Sequence, residues 1–335
     1  VAGAVTDEIH ADTSMWQACG RKVCVLVRRI SVFLAASLWI AGTVLWLTVR
    51  DRYPVFAPLS YGLPLPVLVA CGLWCLLFLQ NVRKRVRIGW IVCVLVQAGF
   101  WLSSSFVMRA GVAPRAAGTL MFWNVCRGYG GYAEAGAEIR RFDVDVVALV
   151  EATGDGQDVT LWQRVCPGYH VTRLGSGMIL MLRGEKLRRE SGVVPGVCRY
   201  RVLDLLVHEQ PLTLIILDVN SDPRKSRQPA FDRLEELITK YADRPLIIAG
   251  DFNTPLESIH VGRMRQCMLN AFEVSGHGLR DTWPVLLPVL SLDQVWGNAH
   301  VHWHRCEHGW SCRSDHRPVL ATFSTRLSSS RGQWP

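Results

Sequence analysis

Three long stretches of this 335-residue sequence lack charged side chains altogether. Residues 30–49, 62–80 and 88–108 contain no Asp, Glu, Lys or Arg. A helix needs roughly 20 such residues to cross a bilayer. Three runs in succession do not fit a cleaved signal peptide, and they disfavour helices buried in a soluble core. We therefore expect three N-terminal transmembrane helices.

The same lack of charge bears on the role and orientation of these helices. Charges inside the membrane are typical of transporters, and the runs contain none, so we expect an anchor. Basic residues concentrate in the N-terminal arm of residues 1–29 and in the loop of residues 81–87. The positive-inside rule makes both segments cytoplasmic and everything after residue 108 extracytoplasmic. We expect a multi-pass protein of the cell (inner) membrane, and the formal charge of +9 is then weak evidence for a nucleic-acid partner.

Cysteines are consistent with this compartment without proving it. Six of them follow the apolar runs: Cys126, Cys166, Cys198, Cys267, Cys306 and Cys312. An oxidising compartment would allow pairs such as Cys306–Cys312, but the spacing alone does not fix the connectivity.

The rest of the chain is typical of a globular α+β domain. Residues 111–118 are expected to link the anchor of residues 30–110 to a domain at 119–326, followed by a disordered tail at 327–335. Apolar runs predict more strands than helices, with few strand–helix–strand units in succession. One further helix is expected near residues 264–272. This order favours a four-layer α/β-sandwich, in which two packed mixed β-sheets are flanked by helices.

Polar side chains stand at the ends of apolar runs in five places. Asn124 and Glu151 end two of them, Asp293 lies in a third, and Asp315 and His316 precede a fourth. The fifth is the run that leads into Gly-Asp-Phe-Asn at residues 250–253. A strand there would point the side chains of Asp251 and Asn253 the same way. Each is explicable as a solvated strand end, but five together indicate a site.

In this order, the motifs resemble those of the endonuclease/exonuclease/phosphatase superfamily, which has the deoxyribonuclease-I-like fold. The stretches that carry the resemblance are Trp-Asn-Val at 123–125, Leu-Val-Glu at 149–151, Gly-Asp-Phe-Asn at 250–253, Leu-Asp-Gln-Val at 292–295 and Ser-Asp-His-Arg-Pro-Val at 314–319. Asp281 also fits the pattern, as a structural residue. The preceding spans are similar to those of a bacterial membrane-anchored branch. The resemblance implies a metal-dependent phosphodiesterase or nuclease-like hydrolase.

The resemblance assigns a metal site and a catalytic group. Glu151 would hold a divalent cation, with Asn124 beside it and Asp315 nearby. Hard oxygen ligands in small number suit Mg²⁺ or Mn²⁺.

Four further residues receive catalytic roles from the resemblance. Asp251 would orient or deprotonate the attacking water, and Asn253 would bind the phosphate. His316, oriented by Asp293, would stabilise the charge that develops in the transition state.

One position departs from the family pattern. A histidine or tyrosine is common at the end of the strand before the long helix, and Asp218 stands there in this sequence. An acid cannot donate to phosphate unless it is protonated, although it could orient water or a second metal. This leaves open a catalytically silent module that binds a phosphate ligand on the same fold. Arg127 and Asn220 are the candidate substrate contacts.

A second pattern competes as a metal site. His300, His302 and His304 alternate, so that on a strand they share one face. Standard zinc spacing is absent, and polar alternation on an exposed strand explains the pattern more simply. Our expectation is a membrane-anchored phosphoester hydrolase acting on nucleic acid or phospholipid headgroups. The lipid bilayer is its other expected partner, and no protein partner is predicted.

Overall fold

The computed structural model describes residues 2–78, 82–109, 111–112, 114–153 and 159–326. These residues form two compact units, one within Val1–Thr48 and Leu63–Trp101 and the other within Val49–Gly62 and Leu102–Pro335. The tail predicted at 327–335 lies outside the described residues, as do residues 79–81. The second unit therefore includes the segment between the first two apolar runs.

Four helices precede the globular domain: α1 Ala2–Thr48, α2 Ala57–Gly62, α3 Leu65–Leu76 and α4 Lys84–Ser105. The helix α1 begins in the N-terminal arm, for which the sequence indicated no fold. Two helical stretches, Arg21–Thr48 and Lys84–Ser105, are long and apolar enough to cross a membrane. The helix α3 has 12 residues, about 18 Å at the helical rise, against a hydrocarbon core of about 30 Å. Three transmembrane helices are therefore not confirmed.

The globular domain contains fourteen described strands and five further helices. The strands are β1 Phe106–Met108, β2 Gly118–Asn124, β3 Val146–Val150, β4 His170–Gly175, β5 Met178–Leu182, β6 Glu185–Val194, β7 Cys198–Val207, β8 Gln210–Val219, β9 Leu246–Asp251, β10 Leu269–Asn270, β11 Gly276–Leu279, β12 Asp293–Gly297, β13 Val301–His308 and β14 Val319–Thr325. The helices are α5 Tyr132–Phe142, α6 Val159–Val165, α7 Gln228–Lys240, α8 Val261–Cys267 and α9 Ala271–Ser275.

The strands form two mixed sheets. One has eight strands in the order β1-β11-β13-β14-β2-β3-β5-β4, and the other has six in the order β10-β12-β9-β8-β7-β6. Parallel pairs occur in both, between β2 and β3 in the first and between β8 and β9 in the second. The predicted pair of mixed sheets flanked by helices is confirmed.

Side-chain alternation explains why the sheets pack face to face. In β2, Leu120 and Phe122 belong to the core between the sheets, whereas Met121 and Trp123 face the other way, toward α5 and α6. On the outer face of the six-stranded sheet, α7 packs through an apolar stripe that includes Phe231. This order gives four layers: helices, sheet, sheet, helices.

Two boundaries differ from the sequence prediction, and one cysteine pair that the sequence allowed is not formed. The last apolar run does not remain helical to residue 108, because its final three residues form β1 and pair with β11. The helix expected at 264–272 is broken at Met268, whose backbone is extended, so that β10 can pair with β12. Cys306 and Cys312, a pair that an oxidising compartment would allow, are both free thiols.

Candidate active site

The pairing of strands brings the motif residues to one edge of the sandwich. Asn124, the last residue of β2, lies opposite Val150 in the parallel strand β3, and Glu151 follows directly. In the other sheet, Asp251 ends β9 and is paired with Asp293 of β12 on one side and with Asp218 of β8 on the other. Polar residues that are distant in the sequence therefore meet where these strands end.

Three residues at this edge have a close backbone contact or an unusual backbone angle. Gly250 precedes Asp251, and a Cβ there would lie 2.6 Å from the Cβ and the carbonyl oxygen of Leu217. Glycine therefore permits the close approach of β8 and β9. Glu151 has φ of 49° and Asn253 has φ of 45°, in the left-handed region that non-glycine residues rarely adopt.

Asn124 links the two sheets at the centre of the site. Its Nδ2 donates to Asp251 Oδ2 at 3.0 Å and, over a longer distance of 3.4 Å, to Glu151 Oε1. Its Oδ1 accepts from the backbone N–H of Cys126 at 2.9 Å, which fixes the amide in this orientation. Asn124 therefore presents its nitrogen to both carboxylates. As a metal ligand it would have to turn its oxygen toward them.

His316 is held between two buried carboxylates. Its Nδ1 lies 2.8 Å from Asp293 Oδ2, and its Nε2 lies 4.0 Å from Asp251 Oδ2. Burial alone would lower the pKa of His316, but the charges of Asp293 and Asp251 outweigh it and raise the pKa to about 10. Burial raises the pKa of Asp251 to about 7. The group thus combines a buried imidazolium with a carboxyl that can exchange a proton near neutral pH.

Asp315 lies next to this group and is held by different donors. Its Oδ2 accepts from the indole N–H of Trp283 at 3.1 Å, and Ser314 Oγ, which lies 2.7 Å from the backbone oxygen of Asn124, is 3.4 Å from its Oδ1. Burial would raise the pKa of Asp315, but His316 and the bond from Trp283 hold it below its ordinary value. Asp315 is therefore an anion at neutral pH.

The position that departs from the family pattern faces a cation. Asp218 Oδ2 lies 3.9 Å from Arg199 Nη1, its partner in the register between β7 and β8. Burial, together with the charge of Glu151, raises the pKa of Asp218 to about 6. The charge of Glu151, the proposed metal ligand, therefore acts on the acid at this position.

A cleft runs along this edge and contains the candidate substrate contacts. Arg127, Glu151, Asp218, Asn220 and Asn253 line it. The Arg127 side chain is 80% exposed, and its Nε lies 3.6 Å from Glu151 Oε2. Such a long, exposed ion pair is weak, so the guanidinium can leave it for a phosphate.

The side chains present fit a hard divalent cation. Glu151 is about one-third exposed in the cleft, and its long contacts leave both oxygens available. Asp293 Oδ1 is buried and has no hydrogen-bond partner among the described residues. Asp251, Asp293 and His316 also form a described group whose potential ligand atoms lie within 4.8 Å of one another. The ligand roles of Glu151, Asn124 and Asp315 remain predictions.

Two sequence predictions remain, a metal site at the alternating histidines and a structural role for Asp281, and their outcomes differ. The histidines on and beside β13 do not form a group of three potential ligands in the described part of the chain. His304 contacts His302 and Ser324 instead. Asp281 is buried and pairs with Arg280 at 3.2 Å, which agrees with a structural role.

Residues 121–316 match the model of the endonuclease/exonuclease/phosphatase family. This match spans more than half of the chain. The chain belongs to this family. No curated protein matches it significantly in sequence.

Several solved structures share the fold of the globular domain. A family protein from Bacteroides thetaiotaomicron has a TM-score of 0.53 at 15% identity, over 63% of this chain and 98% of that one. A mannosyl-6-phosphatase of the same organism has a TM-score of 0.53 at 15% identity, over 62% and 99%. TDP2 of D. rerio, with a single-strand DNA product, has a TM-score of 0.51 at 18% identity, over 62% and 99%.

Sequence patterns missed several residues of this family site. Trp283 and Ser314 hold Asp315, and Arg199 faces Asp218. Arg199 and Trp283 give no local signal, because their contacts are made only when distant strands pair. Ser314 lies inside the motif at 314–319, so its place in the sequence does indicate a role at the site.

Proposed function

We propose that this chain is a membrane-anchored, divalent-metal-dependent phosphoester hydrolase, whose substrate is a phosphodiester of nucleic acid or of a phospholipid headgroup. The observation that carries the proposal is the chain of contacts from Glu151 through Asn124 and Asp251 to His316 and Asp293. It joins a candidate metal ligand, a base and a cation at one cleft.

In this mechanism each side chain has a separate task. Asp251 takes the proton of the attacking water, and Asn253 binds a phosphate oxygen. The imidazolium of His316, held by Asp293, donates to the oxygen on which negative charge grows. A bound Mg²⁺ or Mn²⁺, held by Glu151 with Asp315 nearby, would offset the charge of the phosphoryl group.

The arrangement of the catalytic unit supports the proposed anchoring. Residues 49–62 and the domain after residue 102 belong to one compact unit, so both lie on the same side of any membrane. If α1 crosses once, the N-terminus and the catalytic unit lie on opposite sides, which agrees with a cytoplasmic N-terminal arm.

The substrate class is proposed from the charges of the cleft. Arg127 and Arg199 both line it beside Glu151, and guanidinium groups bind phosphate well. Structural relatives include a phosphatase and a protein with a DNA product, which is consistent with a phosphate ester. A bilayer beside the domain would make a lipid headgroup accessible.

Hydrolysis of bis(p-nitrophenyl) phosphate by the full chain in detergent tests the proposal. We expect turnover with Mg²⁺ and none with EDTA. Asp251→Asn should lower kcat by about 10³-fold, because the base is lost. Asp204→Asn is the matched control, since Asp204 is also buried but accepts from Thr213, away from the site. Equal activity of wild type and Asp251→Asn would contradict the assignment, and phosphate binding without turnover would indicate the silent module.

A further inference from the structure

The segment of residues 49–62, here called the strap, connects α1 to α3 and contains α2. It belongs to the same compact unit as the catalytic domain. A plain connection between two apolar helices needs only to be polar and solvated. The strap instead places a buried acid inside the unit.

Asp51 is the residue that fastens the strap. It is 3% exposed. Its carboxylate accepts hydrogen bonds from Ser258 Oγ, from the Ile259 N–H at 3.1 Å and from the Tyr61 hydroxyl at 2.9 Å. Burial and the neighbouring carboxylate raise the pKa of Tyr61, so this hydroxyl keeps its proton and donates. A buried carboxylate is costly unless it is bonded in this way.

The first segment that Asp51 holds follows Asn253 directly. Ser258 and Ile259 lie in the loop after Gly-Asp-Phe-Asn, and Arg50 donates to the backbone oxygen of Glu257 in the same loop at 3.0 Å. The strap therefore fixes the chain that leaves the phosphate-binding residue.

The second segment is reached through Arg227. This arginine is 2% exposed, and its charge acts on Tyr61 of the strap. Its Nη1 donates to the backbone oxygen of Asn220, which lines the cleft together with Asn253. The segment that follows Asn253 is thus hydrogen-bonded to the strap, and the segment that carries Asn220 lies near it.

We propose that the strap is a positioning element of the active site, in which Asp51 holds the segment that carries Asn253, beside the segment that carries Asn220, in place to bind phosphate. The inference rests on the proposed function, because it concerns the same cleft. Asp51 acts through the segment that carries Asn253 and does not touch the substrate. Glu151 and Asn124 belong to the other sheet, so the strap should affect the metal side of the site less than the phosphate side.

The test compares Asp51→Ala with Asp145→Ala in the full chain in detergent. Asp145 is a matched control, because its side chain is 14% exposed, accepts two hydrogen bonds from Thr119 and lies 3.0 Å from His208 Nε2. It stands at the start of β3, at the end opposite Glu151. Thermal unfolding at increasing concentrations of inorganic phosphate gives the phosphate Kd without requiring turnover.

We expect Asp51→Ala to raise the phosphate Kd about tenfold. The Mg²⁺ concentration for half-maximal activity should remain within about twofold of wild type. Asp145→Ala should lower Tm without changing either constant. Asp51→Asn should restore most of the phosphate affinity, because its amide oxygen can still accept from Ile259.

The outcomes separate this proposal from the hydrolase proposal. A phosphate Kd unchanged in Asp51→Ala, or raised equally in Asp145→Ala, would overturn the positioning role and leave the hydrolase standing. Phosphate binding without turnover in wild type would overturn the hydrolase, and the Kd of the variants would still decide the role of Asp51. A wild type that does not bind phosphate would overturn both.

Discussion

His316 and His308 are both buried, yet their surroundings drive them to opposite charges. His316 is 6% exposed and lies between Asp293 and Asp251, so its pKa rises to about 10. His308 is 8% exposed, and burial together with the charges of Arg317 and Arg280 lowers its pKa to about 3. At similar burial, the sign of the neighbouring charges decides whether the histidine is charged or neutral in the folded protein. One imidazole is a cation available for chemistry, and the other is a neutral ring in the core.

Removing the acid beside His316 should produce the largest effect. We expect Asp293→Asn to lower kcat by about 10² to 10⁴-fold, because the imidazole loses both its orientation and its charge partner. The pKa of His316 should fall, so the alkaline loss of activity should occur at lower pH than in wild type. A pH–rate profile with the phosphodiester substrate measures both.

Asp204→Asn serves again as the control, since it removes a buried acid that His316 does not contact. If Asp293→Asn kept the wild-type alkaline limb, the charge of this carboxylate would not be what holds the proton on His316.

An intermediate effect is expected from His308. Its folded pKa of about 3 lies below its ordinary value of 6.5, so the unfolded chain binds the additional proton between these values. Stability is therefore fully present above about pH 6.5 and is lost as the pH falls, at up to about 1.4 kcal/mol per pH unit. His308→Gln should lose less stability than wild type between pH 6.5 and 4.5, measured as unfolding free energy. If wild type and His308→Gln lost unfolding free energy equally as the pH falls, the pKa of His308 would not be lowered in the folded protein.

The smallest effect is expected from an exposed histidine on the same strand. His302 lies on the solvent side of β13, next to His304. His302→Gln should change the unfolding free energy by less than about 0.5 kcal/mol at any pH in this range. A larger effect would mean that burial is not what separates these histidines.

Much of the catalytic domain could be predicted from the sequence, because strongly apolar strands and amphipathic helices carry their own signals. In the helix Tyr132–Phe142, for example, Ala135 and Ile139 are four residues apart in the sequence and are both buried, which is the spacing of an amphipathic helix. The strand β6, Glu185–Val194, was missed, since an edge strand tolerates the charges that hide its pattern. β1 was missed for the opposite reason, because its three apolar residues continue a hydrophobic helix.

The residues of the candidate site also divide into those with a local sequence signal and those without one. Motif residues at strand ends were found, because a polar residue after an apolar run is visible locally. Contacts that depend on the joining of distant strands were not, including those of Trp283 and Arg199. Asp51 gave only a weak sign, a single acid between two arginines in a short connection. Its role depends on Ser258 and Ile259, about two hundred residues further along the chain.

The strap also bears on whether the globular domain can act when it is separated from the helices that precede it. A protease that cut the linker at 111–118 would release a fragment without Asp51 and without β1. Ser258 Oγ and the Ile259 N–H would lose their acceptor, and β11 would lose its partner at the sheet edge. A domain released in this way would therefore lack the carboxylate that holds the segment after Asn253, and on the proposed role of the strap it would bind phosphate more weakly than the full chain.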